Sequence, residues 1–164
     1  MIYKVPFVSI AKQYKKHSKA LNKVFSECAS SGQYILGDKV EEFEENLAKI
    51  CASKYCLTVG NGTDALIIGL KLLGVNFNDE VILPVNSFIA SAGAVVACGA
   101  KPVFCDVYKT LNIDTTKIEA LITKNTKAIM PVHLTGRPAN MDIIIQIAND
   151  YNLKIIEDAA QAIG

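Results

Sequence analysis

From residue 55 onward the chain alternates short, uninterrupted apolar runs with stretches of helical periodicity. The runs cover 55–59, 80–83, 101–106, 127–132 and 154–158, and the helical stretches cover 63–73, 87–98, 114–123 and 140–151. Runs that stay apolar without alternating belong to strands covered on both faces. The pattern therefore predicts an α/β fold, a doubly wound and mainly parallel sheet with helices on both faces. Before residue 55 the rhythm is helical alone, with helices predicted over 12–31 and 38–51 around a Ser-Gly-Gln-Tyr-Ile-Leu-Gly turn. In the second of these, Val40, Phe43, Leu47 and Ile50 recur at helical spacing, and Asp38 with Glu41 reads as a capping box. The organisation expected is a helical segment over 1–54 followed by an α/β part over 55–164.

If the runs are parallel strands, their carboxyl ends share one rim, where an open α/β sheet binds its ligands. The non-apolar residues falling there are 61–64, 86–88, Asp106, His133 and Asp158. The segment Gly60-Asn-Gly-Thr-Asp-Ala-Leu66 passes from run to helix. Its glycines admit an anion close to backbone N–H groups at a helix N-terminus, with the Thr63 hydroxyl as a further donor. A tight turn with Thr63 or Asp64 capping the helix is the equally simple alternative. The spacing is neither the dinucleotide nor the Walker glycine pattern. Phe88 is placed to stack on a flat ring or to pack in the core. The acids Glu157 and Asp158 end an apolar run, and burying an acid is costly without a cationic partner. A carboxylate at Asp158 would keep a pyridine nitrogen protonated, with Gln161 one helical turn further on; a solvated strand end with a helix cap is the alternative. His133 is read as a substrate contact or as a histidine satisfied by a backbone carbonyl.

Composition narrows the partners. The 164 residues are 51% hydrophobic and 20% charged, enough for one sizeable core. Seventeen basic and sixteen acidic residues leave a charge of +1, with no basic run suited to nucleic acid or a membrane surface. Lys12, Lys15, Lys16 and Lys19 read as the polar face of the first helix, with His17 facing solvent. Five scattered cysteines without metal-ligand spacing read as reduced core thiols, and no metal site is expected. Neither a leader nor a bilayer-length apolar stretch is evident, so a cytoplasmic location is expected.

Several separated stretches, in order and spacing, resemble the DegT/DnrJ/StrS family of nucleotide-sugar aminotransferases. They include Tyr34-Ile-Leu-Gly37, Asn61-Gly-Thr-Asp-Ala-Leu66, Asp79-Glu-Val-Ile82, Gly99-Ala-Lys-Pro-Val-Phe104, Pro131-Val-His-Leu134 and Glu157-Asp-Ala-Ala-Gln161. The resemblance implies the large domain of the aspartate aminotransferase fold (fold type I) and pyridoxal 5′-phosphate as cofactor. It implies that Gly62, Thr63 and Asp64 form the phosphate turn, that Phe88 stacks on the ring, that Asp158 partners the pyridine nitrogen, and that Gln161 lies near the phenolic oxygen. The reaction implied is transfer of an amino group, usually from glutamate, to a keto group of a nucleotide-linked sugar, by a homodimer when full length.

The family's Schiff-base lysine stands downstream of the Asp-Ala-Ala-Gln segment, and no lysine of this sequence matches it. The chain is accordingly expected to be the N-terminal portion of a longer protein, holding part of the cofactor-binding domain and lacking transaminase activity alone. An incomplete sheet would leave an unpaired edge and exposed apolar surface. The alternatives are a sugar dehydratase of the same family, a non-catalytic regulator that keeps the fold, and an unrelated doubly wound nucleotide binder.

Overall fold

The computed structural model describes residues 5–6 and 8–163; the opening Met-Ile-Tyr-Lys and Gly164, both used in the reading above, lie outside them. The chain divides into two compact units, Met1–Thr58 and Val59–Gly164.

The first unit carries α1 (Ile10–Ser31) and α2 (Asp38–Ile50). The helix α1 ends at Gly32, whose φ of 70° is the left-handed conformation that glycine adopts without penalty. His17 and the lysines of α1 are exposed as expected. The capping box expected at Asp38 and Glu41 does not form. Gly37 occupies the cap position without a side-chain cap, and the two acids stand in the first turn, where the helix dipole favours them. The strand expected over 55–59 is also absent: the segment is extended but joins no ladder, and Tyr55 and Leu57 are exposed. Instead of pairing with a strand, the Thr58 N–H and hydroxyl both donate to Glu44 Oε1, at 2.6 and 2.7 Å. An apolar run predicts a strand only where a neighbour supplies the ladder.

The second unit contains α3 (Gly62–Leu72), β1 (Glu80–Pro84), α4 (Ile89–Ala97), β2 (Lys101–Cys105), β3 (Thr126–Ile129), α5 (Met141–Asp150) and β4 (Lys154–Ile155). All pairings are parallel, in the order β2-β1-β3-β4. The central strand β1 is buried along its whole length and splits its side chains between two cores. Val81 and Leu83 join Leu70, Val95 and Met130 on one face, while Ile82 joins Ile118, Ile129 and Ile144 on the other. This is the three-layer, doubly wound arrangement that the uninterrupted apolar runs predict. The helix expected over 114–123 is replaced by two 3₁₀ turns, Thr115–Lys117 and Glu119–Leu121. Asp114 Oδ1 accepts from the Thr116 N–H and hydroxyl, and the break between the turns falls at Ile118, which is fully buried. Short 3₁₀ turns of this kind are common connectors.

Both sheet edges, β2 and β4, lack a further strand among the described residues, and Phe77, Ile89 and Phe104 are among the exposed apolar side chains. The cysteines are free; Cys98 and Cys105 are core thiols as expected, whereas Cys51 is exposed and Cys28 and Cys56 are half-buried. Burial, and after it the neighbouring acids Asp114 and Asp106, push the Cys105 thiol up to about 11. No helix among the described residues is long and apolar enough to cross a membrane.

Two outcomes follow. A thiol reagent at neutral pH should modify Cys51 in the folded protein and leave Cys98 and Cys105 until unfolding, read by mass spectrometry of the alkylated peptides. The hydrogen bonds from Thr58, its hydroxyl first, hold the Glu44 carboxyl below the usual glutamate range. A lowered pKa stabilises above the unfolded value, and the contribution is lost as pH falls through the folded one. The Thr58 amide resonance should therefore shift in one step at a pH below the ordinary glutamate range and cease to titrate in Glu44→Gln.

Candidate active site

The order of the strands fixes where a ligand can enter. From β1 the chain crosses to β2 on one side and then to β3 on the other, so the carboxyl ends of β1 and β3 diverge at a topological switch point. A cavity of about 400 Å³ opens there. It gathers Gly62 and Thr63 from the start of α3, Phe88 after β1, His133 after β3, and Asp158 and Gln161 after β4. Asp64 lies outside it, as do Asn61, Asn86 and Asp106 of the rim expected from sequence, and Asp106 pairs with Lys117 instead.

The first turn of α3 explains the exclusion of Asp64. Asn61, and not Thr63 or Asp64, is the cap: its Oδ1 accepts the Asp64 N–H at 2.9 Å, while its Nδ2 donates to Asp64 Oδ2 at 2.9 Å. The carboxylate of Asp64 is thereby tied to Asn61 and not presented to the cavity. The amides of Gly62 and Thr63 precede the point at which a helix supplies its own acceptors, so they are the donors this turn offers to an anion. A Cβ built on Gly62 would meet no atom within 4 Å outside its own turn, so a side chain there would enter open space.

Phe88 stands at the cap position of α4 and is 75% exposed, which removes the core-packing alternative for its ring. Beyond β4 the chain stays extended. Val132 bridges Asp158 in parallel, the Asp158 N–H donates to the Pro131 carbonyl at 2.9 Å, and the His133 N–H donates to the Asp158 carbonyl at 3.1 Å. Asp158 Oδ2 accepts from the Ser91 hydroxyl at 2.8 Å and Oδ1 from the Ala160 N–H at 3.3 Å.

His133 is 5% exposed and lines the cavity, and its hydrogen bonds differ from the backbone-carbonyl reading. Its Nδ1 accepts the Ala139 N–H at 3.1 Å, so it is satisfied by a backbone amide and not by a carbonyl. An imidazole whose Nδ1 accepts carries its proton on Nε2, which donates to Glu157 Oε2 at 2.8 Å. Glu157 therefore has a partner of its own and is not simply a solvated strand end.

Gln161 lies in a turn closed by the Ala162 N–H on the Ala159 carbonyl, not one helical turn beyond Asp158 as expected. Its Oε1 accepts the Thr135 N–H at 2.6 Å. An amide oxygen held by a backbone donor turns the remaining NH₂ into the group available to a ligand. The wall running 133–139 needs such anchors because Thr135 and Gly136 have positive φ angles of 58° and 82°. Asn112, 3% exposed, supplies three more: its Oδ1 accepts the Leu134 N–H, and its Nδ2 donates to the carbonyls of Arg137 and Pro138. Sequence reading missed Asn112 and Ser91, each a lone polar residue flanked by apolar ones, a pattern that marks a buried hydrogen bond without naming its partner. Among the described residues, no cluster of His, Cys, Asp or Glu could hold a metal ion.

The sequence profile of the DegT/DnrJ/EryC1/StrS aminotransferase family matches residues 15–164. The chain is 44% identical over 161 residues to a dTDP-3-amino-3,6-dideoxy-alpha-D-galactopyranose transaminase of Aneurinibacillus thermoaerophilus, covering 98% of this chain and 44% of that protein. It is also 44% identical to a pleiotropic regulatory protein of Geobacillus stearothermophilus, over 98% of this chain and 43% of the other. The crystal structure of NtdA from Bacillus subtilis with bound cofactor PMP superposes with a TM-score of 0.95 at 42% identity, covering 100% of this chain and 38% of that one. The α/β fold is thus that of the fold type I aminotransferases. The chain spans less than half the length of these relatives.

Asn112→Ala would strip the Leu134 N–H and two carbonyls of their partners, a loss of about 1–3 kcal/mol. Chemical denaturation should register it, and amide exchange should quicken at Leu134 more than in β1.

Proposed function

The chain belongs to the DegT/DnrJ/EryC1/StrS aminotransferase family, and from that premise we propose that it forms the cofactor-binding part of a pyridoxal-phosphate aminotransferase acting on sugars. The amino group passes, with glutamate as donor, to a keto group of a nucleotide-linked sugar in amino-sugar or surface-polysaccharide biosynthesis. The observation that carries this reading is the placement of Asp158 in the same cavity as the free first-turn amides of α3. Those groups fit an elongated ligand with a phosphate at one end and a basic ring nitrogen at the other.

In this reading the Gly62 and Thr63 amides receive the phosphate, helped by the positive end of the α3 dipole. Asp64 contributes its place in the capped turn and not its side chain. The exposed face of Phe88 carries the ring. Asp158, an ionised acceptor, holds a proton on the ring nitrogen. The free NH₂ of Gln161 donates to the phenolic oxygen. His133 serves from the wall by fixing Glu157, which also lines the cavity, and both are read as facing the substrate. The bound cofactor supplies the electron sink that stabilises a carbanion at the amino-bearing carbon. No lysine among the described residues lines the cavity, so residues 1–164 would hold the cofactor without the amine that joins it covalently. The full-length protein would act as a dimer.

A second reading is a regulator that binds the cofactor without turnover, favoured by the equal identity to the G. stearothermophilus regulatory protein. Both readings need the same site, and transamination of a keto-sugar by the full-length protein separates them.

The 164-residue chain should bind pyridoxamine 5′-phosphate reversibly and show no transamination. Gly62→Val should leave the unfolding of the empty protein within about 0.5 kcal/mol, since its side chain enters open space, yet weaken that binding at least about tenfold. Equal affinity of the two proteins in a fluorescence titration would remove the phosphate turn from the proposal.

A further inference from the structure

We propose that Ser91 is a positioning residue for Asp158, and that it works as the middle of a one-way hydrogen-bond relay beginning at Ser87. This rests on the assignment of Asp158 to the ring nitrogen. The helix α4 reads Ile-Ala-Ser-Ala-Gly-Ala-Val-Val-Ala, in which Ser91 is the one side chain able to hydrogen-bond. It is fully buried. A buried hydroxyl costs free energy unless it is bonded, and a helical serine ordinarily turns back to a carbonyl of the preceding turn. Ser91 instead reaches across 67 residues of sequence to Asp158 Oδ2 at 2.8 Å, with Ser87 Oγ 2.6 Å behind it.

The direction of the relay follows from the chemistry of its end. An ionised carboxylate accepts only, so Ser91 donates to Asp158 and its own oxygen accepts from the Ser87 hydroxyl. Hydrogen bonds aligned in this way polarise one another, and the middle member of this relay is shielded from water. With the Ala160 N–H on Oδ1, each carboxylate oxygen is held by one donor, and each keeps a lone pair for the ring. Ser87 directly precedes Phe88, so the relay also ties the residue under the ring to the residue at its nitrogen. A carboxylate left to rotate would spend part of its time aimed away from the ring; the relay holds it on the ring.

The test uses pyridoxamine 5′-phosphate labelled with ¹⁵N in the ring, which binds without a covalent bond. Its affinity is read by fluorescence, and the protonation of its nitrogen by NMR. Ser91→Ala should weaken binding about tenfold, the loss expected of one hydrogen bond to a charge. It should also move the ring signal toward the unprotonated position, which a merely structural serine would not do. Ser87→Ala should act in the same direction and less, and Ser91→Cys, with a weak donor of similar shape, should fall between. Asp158→Asn should abolish the protonated signal. If Asp158→Asn does so while Ser91→Ala leaves ring signal and affinity unchanged, the relay is overturned and the cofactor assignment stands. If Asp158→Asn changes nothing, or the unsubstituted protein does not bind the probe, the assignment falls and the relay with it. Should Ser91→Ala not fold, an unchanged ring signal in both Ser87→Ala and Ser91→Cys overturns the relay equally.

Discussion

Two adjacent acids follow the short strand β4, and the hydrogen bonds they receive organise this site. Between them, Glu157 and Asp158 draw in residues from three other segments. Successive side chains of an extended chain point to opposite sides, so two adjacent acids cannot share one partner. Asp158 turns toward α4 and finds Ser91; Glu157 turns toward the wall after β3 and finds His133. His133 in turn takes the Ala139 amide, and Asp158 exchanges backbone hydrogen bonds with the 131–133 stretch. The dipeptide thus fastens the last strand to its neighbour and to a helix on the sheet's face. A ligand meeting Asp158 meets a group already oriented.

Parallel topology decides that all this happens at one rim. Successive parallel strands are joined by crossovers, so their carboxyl ends lie on the same side. The divergence at β1 and β3 then opens the cavity without a dedicated insertion. Asn112 and Gln161 add rigidity where the 133–139 wall runs through two positive φ angles, conformations that persist only when the surroundings hold them.

How much of this could be read in advance follows from the range of the interactions. The strands at 80–84 and 101–105, the helix beginning at Gly62 and the rim bearing Phe88, His133 and Asp158 were legible because their signals are local: apolar runs, a glycine turn, an acid after isoleucines. The 55–59 run misled because its fate depends on a partner strand, and Glu44 answers Thr58 instead. The helical reading of Gln161 failed for a related reason. Ala-Ala-Gln-Ala favours a helix intrinsically, but the Thr135 amide, reached across 26 residues, fixes the side chain in a turn. Ser91 and Asn112 were visible as polar exceptions in apolar surroundings, yet their partners lie far along the chain.

The open side of the cavity carries the remaining argument. Phe88 is 75% exposed three residues before a fully buried helical serine, and a side chain built on Gly62 would enter open space. A large aromatic ring left in water forgoes about 25 cal/mol for each Å² that could be covered, and this fold had a core available to it. What opposes withdrawal of the ring is the relay behind it: Ser87 must stay within reach of Ser91, and Phe88 is the next residue. On the proposed relay, exposure of the aromatic accompanies the holding of Asp158. A flat cationic ring lying on Phe88 would remove that apolar surface from water and give the half-buried Asp158 a positive partner, so stacking and charge pairing favour the same ligand.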